Sequence, residues 1–424
     1  MRAIALTIWM TIAMSAAVTA QNATDFPVGQ NWNFPDARAL GLAGAGALAT
    51  EGAGALMANP AALGRDAAGV TLQLSPVARS LEERRSFPVF DRFDDVSVKG
   101  IYAINNRWFA AMQGGARWAP GLEAVPFLKA VAVGAFVESD QNYRYEEEVR
   151  ENVFGDALLA YNRIDMDGRI MRYAVGAAFG IVDGLDAGVQ VGILSGDLAY
   201  ERAVTFVDDP EDDIRSRIDY GMDNTPVVAS LGATYAVTPW VTVGSHVRLP
   251  YTIDYQLASE TGDAEGMASV EYPMEWHGSL EYRGRQPLLA RFHLDVSYEW
   301  WSEVEAPVFP VGSAVNFGAL DNRTAIRAGI EHLIFGQVPL LFGIQYRTDF
   351  QNRRNSQTLV STGTGFRGEG WTVNASGAFS KVSYRFPDLF DDTLYGGNRS
   401  AAPTDDVDER YFFGMVTVTV ELGK

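Results

Sequence analysis

Cysteine is missing from all 424 residues, so no disulfide braces the fold and its backbone ladder must hold it together. Long hydrophobic runs are missing as well. After Ala20 no segment approaches the roughly 20 apolar residues that a membrane helix needs. Basic charge is scarce: 34 Lys and Arg face 53 Asp and Glu, for a net charge of −19. That balance argues against binding nucleic acid, which requires a basic face. It suits segments that face outward from a cell, where acidic residues keep a surface soluble. Yet 47% of the residues are hydrophobic and 12% aromatic, so the apolar residues must be spread along the chain in alternation.

Residues 1–20 read as a secretory signal: Arg2, an apolar run from Ala3 to Val18, and small residues at Val18 and Ala20. The stretch that follows is unusual. From Ala39 to Gly69 it holds twelve Ala and seven Gly in thirty-one residues. Such a segment has little bulk to bury and too many glycines for one long helix. Its helical pieces are expected to be short. Asp36 to Leu40 reads as a cap and first turn. Asn59 reads as a second N-cap, with Pro60 at the first helical position. Small residues let backbone pack closely against surrounding walls, so residues 21–69 are expected to form a plug and residues 70–424 the wall.

The wall reads as strands. In Trp240 to Ala258, Val241, Val243, Val247, Leu249, Tyr251, Ile253, Tyr255 and Leu257 alternate with Thr242, His246, Arg248, Asp254 and Gln256. Period two means strand. The pattern recurs in Ala268–Tyr282, Ala290–Trp300, Val338–Phe350 and Phe412–Leu422, and more weakly elsewhere. Asn105-Asn106, Asp183-Gly184 and Thr238-Pro239 read as short turns. Residues 139–165, 207–217, 303–321, 351–367 and 387–409 read as long polar connections. Short turns on one side and long loops on the other are the sidedness of an outer-membrane barrel. Trp240, Tyr255, Tyr272, Tyr282, Trp300 and Trp301 fall near strand ends, as interfacial girdles do. A propeller would carry a repeat of roughly 40–50 residues, and none is present. The fold expected is all-β: a transmembrane antiparallel barrel of about 14 strands with an N-terminal hatch in its lumen.

Two motifs carry a family likeness: Ala37-Arg38-Ala39-Leu40-Gly41-Leu42-Ala43-Gly44-Ala45 and Asn59-Pro60-Ala61-Ala62-Leu63. With them the chain resembles the FadL-type long-chain fatty-acid transporters of bacterial outer membranes, a wider family that includes aromatic-hydrocarbon porins and PorV-like secretion barrels. The likeness implies a barrel whose N-terminal segment is an internal hatch. Hydrophobic ligands would be captured outside, held in the lumen and released through hatch movement and a gap in the wall. It implies no enzymatic activity and no cofactor. Hatch shaping would fall to Asn59, Pro60 and Ala61. Apolar ligand contact would come from Leu56, Met57 and Leu63, with Arg248 or Arg347 as the cation for an acid. A PorV-like adaptor, binding protein partners at its outer loops, is the alternative. Other partners implied are outer-membrane lipid and lipopolysaccharide.

Other chemistry is weaker. Gly44-x-Gly46-x-x-Ala49 matches a loose dinucleotide fingerprint, but no strand precedes it. His246, His277 and His293 fall on the polar faces of their strands beside Asp254, Glu271, Glu275, Glu281, Asp295 and Glu299. No nucleophile motif or metal-ligand spacing accompanies them, so they read as lumen ion networks with Arg248, Arg291, Arg323, Arg327 and Arg347. The acidic runs 208–213 and 405–409 lack calcium-loop spacing and read as solvated outer loops.

Overall fold

The computed structural model describes residues 28–29, 32, 34–65, 68–90, 93, 96–120, 127–151, 157–260, 265–284, 290–305, 307, 319–395 and 404–422. The expected signal at 1–20 lies outside these residues.

The wall strands are β1 (Gly69–Phe90), β2 (Val96–Ala119), β3 (Leu128–Asp140, continued by Tyr143–Arg150) and β4 (Leu158–Val182). Next come β5 (Leu185–Ser195 and Leu198–Phe206), β6 (Ile214–Met222 and Val227–Thr238), β7 (Val241–Arg248 and Tyr251–Ser259) and β8 (Gly266–Tyr272 and Glu275–Arg283). The ring is completed by β9 (Ala290–Glu299), β10 (Arg323–Ile334), β11 (Val338–Arg347), β12 (Gln357–Arg367), β13 (Trp371–Phe386) and β14 (Asp405–Leu422). Each strand pairs antiparallel with the next, and β1 pairs with both β2 and β14, so a 14-strand barrel closes on itself. Closure satisfies most of the backbone internally, as a wall in lipid requires; the exception is between β2 and β3, where the ladder is short.

The strand count agrees with expectation, but several boundaries do not. Asn105 and Asn106 are not a turn: they pair with Glu83 and Glu82 in the long β1–β2 ladder. Within 139–165, residues 143–150 and 158–165 are strand, with Arg144, Glu146 and Glu148 outward and Tyr143, Tyr145 and Val149 buried; 357–367 is strand with Val360 and Phe366 outward and Gln357 and Leu359 buried. Residues 405–409 begin β14, with Asp405 and Glu409 buried.

The wall has two storeys of opposite polarity. In the membrane storey Val175, Leu231, Phe342 and Val416 face outward, while Gln190, His246, Glu281 and Asp295 are buried inside. In the outer storey Tyr145, Ile164, Tyr200, Tyr220, Ile253, Tyr255 and Tyr272 are buried inside. There Arg144, Glu146, Arg217 and Asp219 lie on the outside. Asp254 and Glu271, expected in the lumen, therefore face outward. Tyr255, Tyr272 and Trp301 are core residues rather than girdle residues.

In β7 and β8 the sequence alternation stays constant while the pleat shifts. Arg248 and Tyr251 both point inward, as do Tyr272 and Glu275, with two residues between each pair. Register is kept across the break, since Arg248 pairs with Glu275 and Tyr251 with Tyr272. Pro250 and Pro273 occupy these breaks, where a residue without an N–H can leave the ladder. In β4 the opposite happens. The pleat is regular, and the apolar residues switch from the inner face (Ile164, Met166, Ile170) to the outer (Tyr173, Val175).

The Ala/Gly segment lies inside the membrane storey as α1 (Ala37–Gly41), a 3-10 turn at Gly52–Gly54, α2 (Ala55–Ala58) and a 3-10 turn at Pro60–Arg65. Asp36 caps α1 by accepting from the Ala39 N–H at 2.7 Å. Asn59 caps the last turn through its own side chain, accepting from the Ala61 N–H at 3.0 Å. Lumen-facing glycines of the wall admit this backbone. A Cβ on Gly188 would stand 2.2 Å from the Ala61 nitrogen, and one on Gly343 2.2 Å from the Leu42 carbonyl carbon. Only a segment this poor in bulk could dock so closely.

Candidate functional site

Above the hatch lies a chamber of about 90 Å³ with a charged lining. Arg248 reaches it from β7 but is neutralised, 3.0 Å from Glu275 and 3.5 Å from Glu138. His246 and His277 stack with ring centroids 4.1 Å apart, and His277 also contacts Glu275. Asp295 turns toward the hatch and accepts from the Gly46 and Ala47 N–H groups at 2.8 and 3.0 Å. Arg347 lies 3.9 Å from the Trp32 ring centroid, a cation–π contact between wall and hatch. Arg327 donates to Gln345 and Ser297, both neutral, at 3.2 and 3.0 Å. The chamber suits a polar head group better than a hydrocarbon, because a buried charge is stable only with polar partners.

An apolar pocket of about 50 Å³ adjoins the chamber and shares Trp32 and Phe34 with it. Leu40, Val77, Phe109, Ala111, Val137, Phe413 and Met415 complete its apolar lining, with Arg79, Gln113 and Asp140 as its polar members. Beyond them the wall is incomplete. The β2–β3 ladder runs only from Gly114↔Ala135 to Trp118↔Val131. Above it, β2 pairs by backbone with β1 alone and meets Tyr143–Arg150 only through side chains, with Asn105 donating to the Glu146 carbonyl at 3.1 Å and accepting from its N–H at 2.9 Å, and a recess of about 410 Å³ opens between Arg107–Ala110 and Asn142, Arg144 and Met166–Arg169. Phe109 lines both the recess and the apolar pocket. The outer storey, by contrast, has a packed aromatic core among the described residues. The tyrosine core of the outer storey meets a segment, 387–395, whose Phe390 is fully buried under the Arg202 guanidinium at 4.5 Å.

No protein-family model and no curated protein sequence matches the chain. Solved structures do. A FadL homologue from Pseudomonas aeruginosa superimposes with a TM-score of 0.66 at 13% identity, covering 92% of this chain and 98% of that one. The toluene transporter TodX of P. putida gives 0.61 at 12% identity over 93% and 100%. The monoaromatic hydrocarbon channel CymD gives 0.59 at 14% identity over 93% and 99%. The chain has the FadL-type outer-membrane transporter fold. Its apolar outward band is the exterior of a membrane-spanning barrel.

On this FadL-type frame the residues expected at the site are dispersed. Asn59 is fully buried at the hatch–wall contact, where its Nδ2 donates to the Ala233 and Ser245 carbonyls at 3.3 and 3.4 Å. Pro60 and Ala61 lie against Gly188. Met57 lines the chamber, as do Arg248 and Arg347. Leu56 and Leu63 line neither cavity; they are packed with Ala130, Phe136 and Ala178 against the wall. Sequence reasoning missed Trp32, Phe34, Arg79, Phe109, Gln113 and Asp140. The aromatic pair Trp32 and Phe34 just before the Ala/Gly segment was the available signal. Nothing in strand periodicity marks Asp140, because its role depends on a ladder that stops.

Proposed function

We propose that this protein moves hydrophobic small molecules passively across the outer membrane, taking long-chain fatty acids or aromatic hydrocarbons through a lumen gated by the N-terminal hatch. The observation that carries the reading is the aromatic pocket, set between the hatch and an interruption in the wall. Its apolar body would take a hydrocarbon and the adjoining charged chamber an acid group. Likeness of fold to a FadL homologue, TodX and CymD supports the same reading. Residues 1–20 would be removed on export, 21–69 would be the hatch, and Asn59-Pro60-Ala61 its hinge against the wall. The alternative of a protein-binding adaptor draws support from the packed aromatic core of the outer storey.

Uptake of labelled long-chain fatty acid and of labelled toluene by proteoliposomes tests the proposal. The intact chain is expected to exceed empty vesicles. Asn59→Ala, which loosens the hatch, is expected to raise uptake about fivefold, the equivalent of roughly 1 kcal/mol. No uptake by either protein would overturn the transport reading and leave the adaptor.

A further inference from the structure

The outward face of the wall around the β1–β14 seam has a build that neither lumen nor hatch uses. Residues in register across neighbouring strands share a face, so the outward side chains fall into rows. One row is small: Ala110, Ala78, Gly414 and Gly377 lie side by side. With Met112 below it and Leu340 at one end, that row floors a groove of about 1070 Å³ on the lipid side. Small-molecule clefts typically span roughly 300–1,000 Å³. The next row toward the outer storey is aromatic. It holds Trp108, Phe412 and Phe379, with the Trp108 and Phe412 rings edge to face at 5.9 Å. Such residues mark a membrane–water interface. Beyond them the face is charged: Glu82, Arg410 and Lys381 in one row, then Arg84 and Asp408, then Asp406 with Arg385 and Lys99. The cations outnumber the carboxylates here, although the whole chain carries −19. Carboxylates are therefore shared. Glu82 Oε1 accepts from Arg84 Nε at 2.6 Å and from Arg410 Nη1 at 3.3 Å. Asp406 accepts from Arg385 Nε at 3.2 Å and lies 2.7 Å from Lys99 Nζ, while Asp408 lies 3.1 Å from Lys381 Nζ.

We propose that this face binds lipid A, the phosphorylated acyl anchor of lipopolysaccharide, with its chains in the groove and its phosphates on the cations beyond. The rows run in the order of an amphiphile: chain, interface, anionic head. A floor of glycine and alanine lets chains settle below the level of side chains such as Leu231 and gain close contact on more sides. Arg84 and Arg385 meet their carboxylates through Nε, which leaves the forked Nη donors of each to a phosphate. Exposed ion pairs hold weakly, so a phosphate can join or replace the shared carboxylates. The cations stand on β13, β14, β1 and β2, a reach of about 14 Å at the usual strand spacing. One phosphate needs less; two separate phosphates use it. The groove is likewise broad, lined from β1, β2 and β11 to β14, so chains lie in it side by side. Two phosphates and many chains therefore fit this face better than a glycerophospholipid with one phosphate and two chains. The site rests on the outer-membrane part of the proposed function and needs no transport.

Native mass spectrometry of the full chain in detergent, titrated with bis-phosphorylated lipid A and separately with phosphatidylglycerol, tests the proposal. Lipid A is expected to bind at least about tenfold more tightly than phosphatidylglycerol. Replacing both Lys381→Gln and Arg410→Gln should weaken lipid A at least about tenfold. The groove is tested apart from the charges. A Cβ on Gly414 would meet nothing nearer than the Phe412 ring at 3.9 Å, so Gly414→Leu fills the groove without disturbing the wall. It should weaken lipid A comparably. Retained heat-modifiable migration on a gel shows that each barrel is folded. Unchanged lipid A binding in either folded variant would overturn the site, and equal affinity for phosphatidylglycerol would overturn its assignment to a two-phosphate lipid. A dimer of the lipid-free chain that Gly414→Leu dissociates would overturn it in favour of a second copy. Fatty-acid uptake enters none of these readings, so its absence falls on the transport reading alone.

Discussion

The membrane storey and the outer storey of this barrel are built from the same strands, yet they turn opposite faces to their surroundings. Around Leu231 and Phe342 the outside is apolar and the inside carries His246, Glu281 and Asp295. Around Tyr145 and Tyr255 the inside is aromatic and the outside carries Arg144 and Asp219. The backbone is hydrogen-bonded alike in both, so the ladder cannot be the source of the difference. What differs is the solvent beyond the wall. Lipid accepts no polar side chain, and the lumen takes those the outer face cannot hold. Water accepts charge outside, and apolar burial then drives the inside as in any soluble domain. The lesson is that one wall can serve two solvents if either the pleat or the sequence pattern shifts by one residue where they meet.

Substitutions that act on one storey alone test the contrast most directly. Trp301, buried in the outer storey, stacks on Phe350 at 4.4 Å and donates to Glu299 at 2.7 Å. Trp301→Ala is expected to cost about 3–5 kcal/mol and to loosen the outer storey, read as lost protease resistance there while the membrane band stays heat-modifiable. On the membrane face, Phe342→Arg should cost about 2–4 kcal/mol in a bilayer unfolding titration. Thr205→Arg, on the water face of the outer storey, should stay within about 0.5 kcal/mol. Equal costs for the two arginines would break the comparison.

The smallest expected effect is one of pH. In the outer storey Glu147 is buried beside Tyr145 and Asn162, and burial, then the Asp388 carboxylate, pushes its pKa up from 4.5 to about 7. A carboxyl whose folded pKa is raised binds its proton more tightly in the folded state. Its contribution to stability is therefore full below the ordinary value of 4.5 and is lost as pH rises through about 7. Protection factors of the outer strands, corrected for the intrinsic pH dependence of amide exchange, should be higher at pH 5 than at pH 8, and Glu147→Gln should flatten the difference. A profile unchanged by that substitution would show that another group sets it.

Much of this was legible beforehand. Alternation at Trp240–Arg248, Ala290–Glu299 and Val338–Arg347 marked strands, and the polar partners of those alternations did line the lumen. The Asp36 and Asn59 caps were readable because capping is local, needing only the residue and its next three N–H groups. Tyr251–Leu257 misled, since their alternation continues that of Val241–Val247 without a break while the pleat beneath them shifts. Leu56 and Leu63 looked like ligand contacts because bulk on a small-residue segment draws attention; both instead anchor it to the wall.

By itself the sequence determined that this chain makes strands enough to close a wall, that the segment before them is too slight to be anything but packed against something, and that no helix or disulfide would hold it. Those properties are local: periodicity, side-chain volume and the absence of a residue type act wherever the chain goes. The tertiary structure alone decided which face of each strand meets lipid and where the β2–β3 ladder stops. It also brought Arg84, Lys381 and Arg410 to one patch, though Arg84 lies far from the other two in sequence. Such facts depend on the register of neighbouring strands, an energy shared across the whole ring that no single stretch of residues carries.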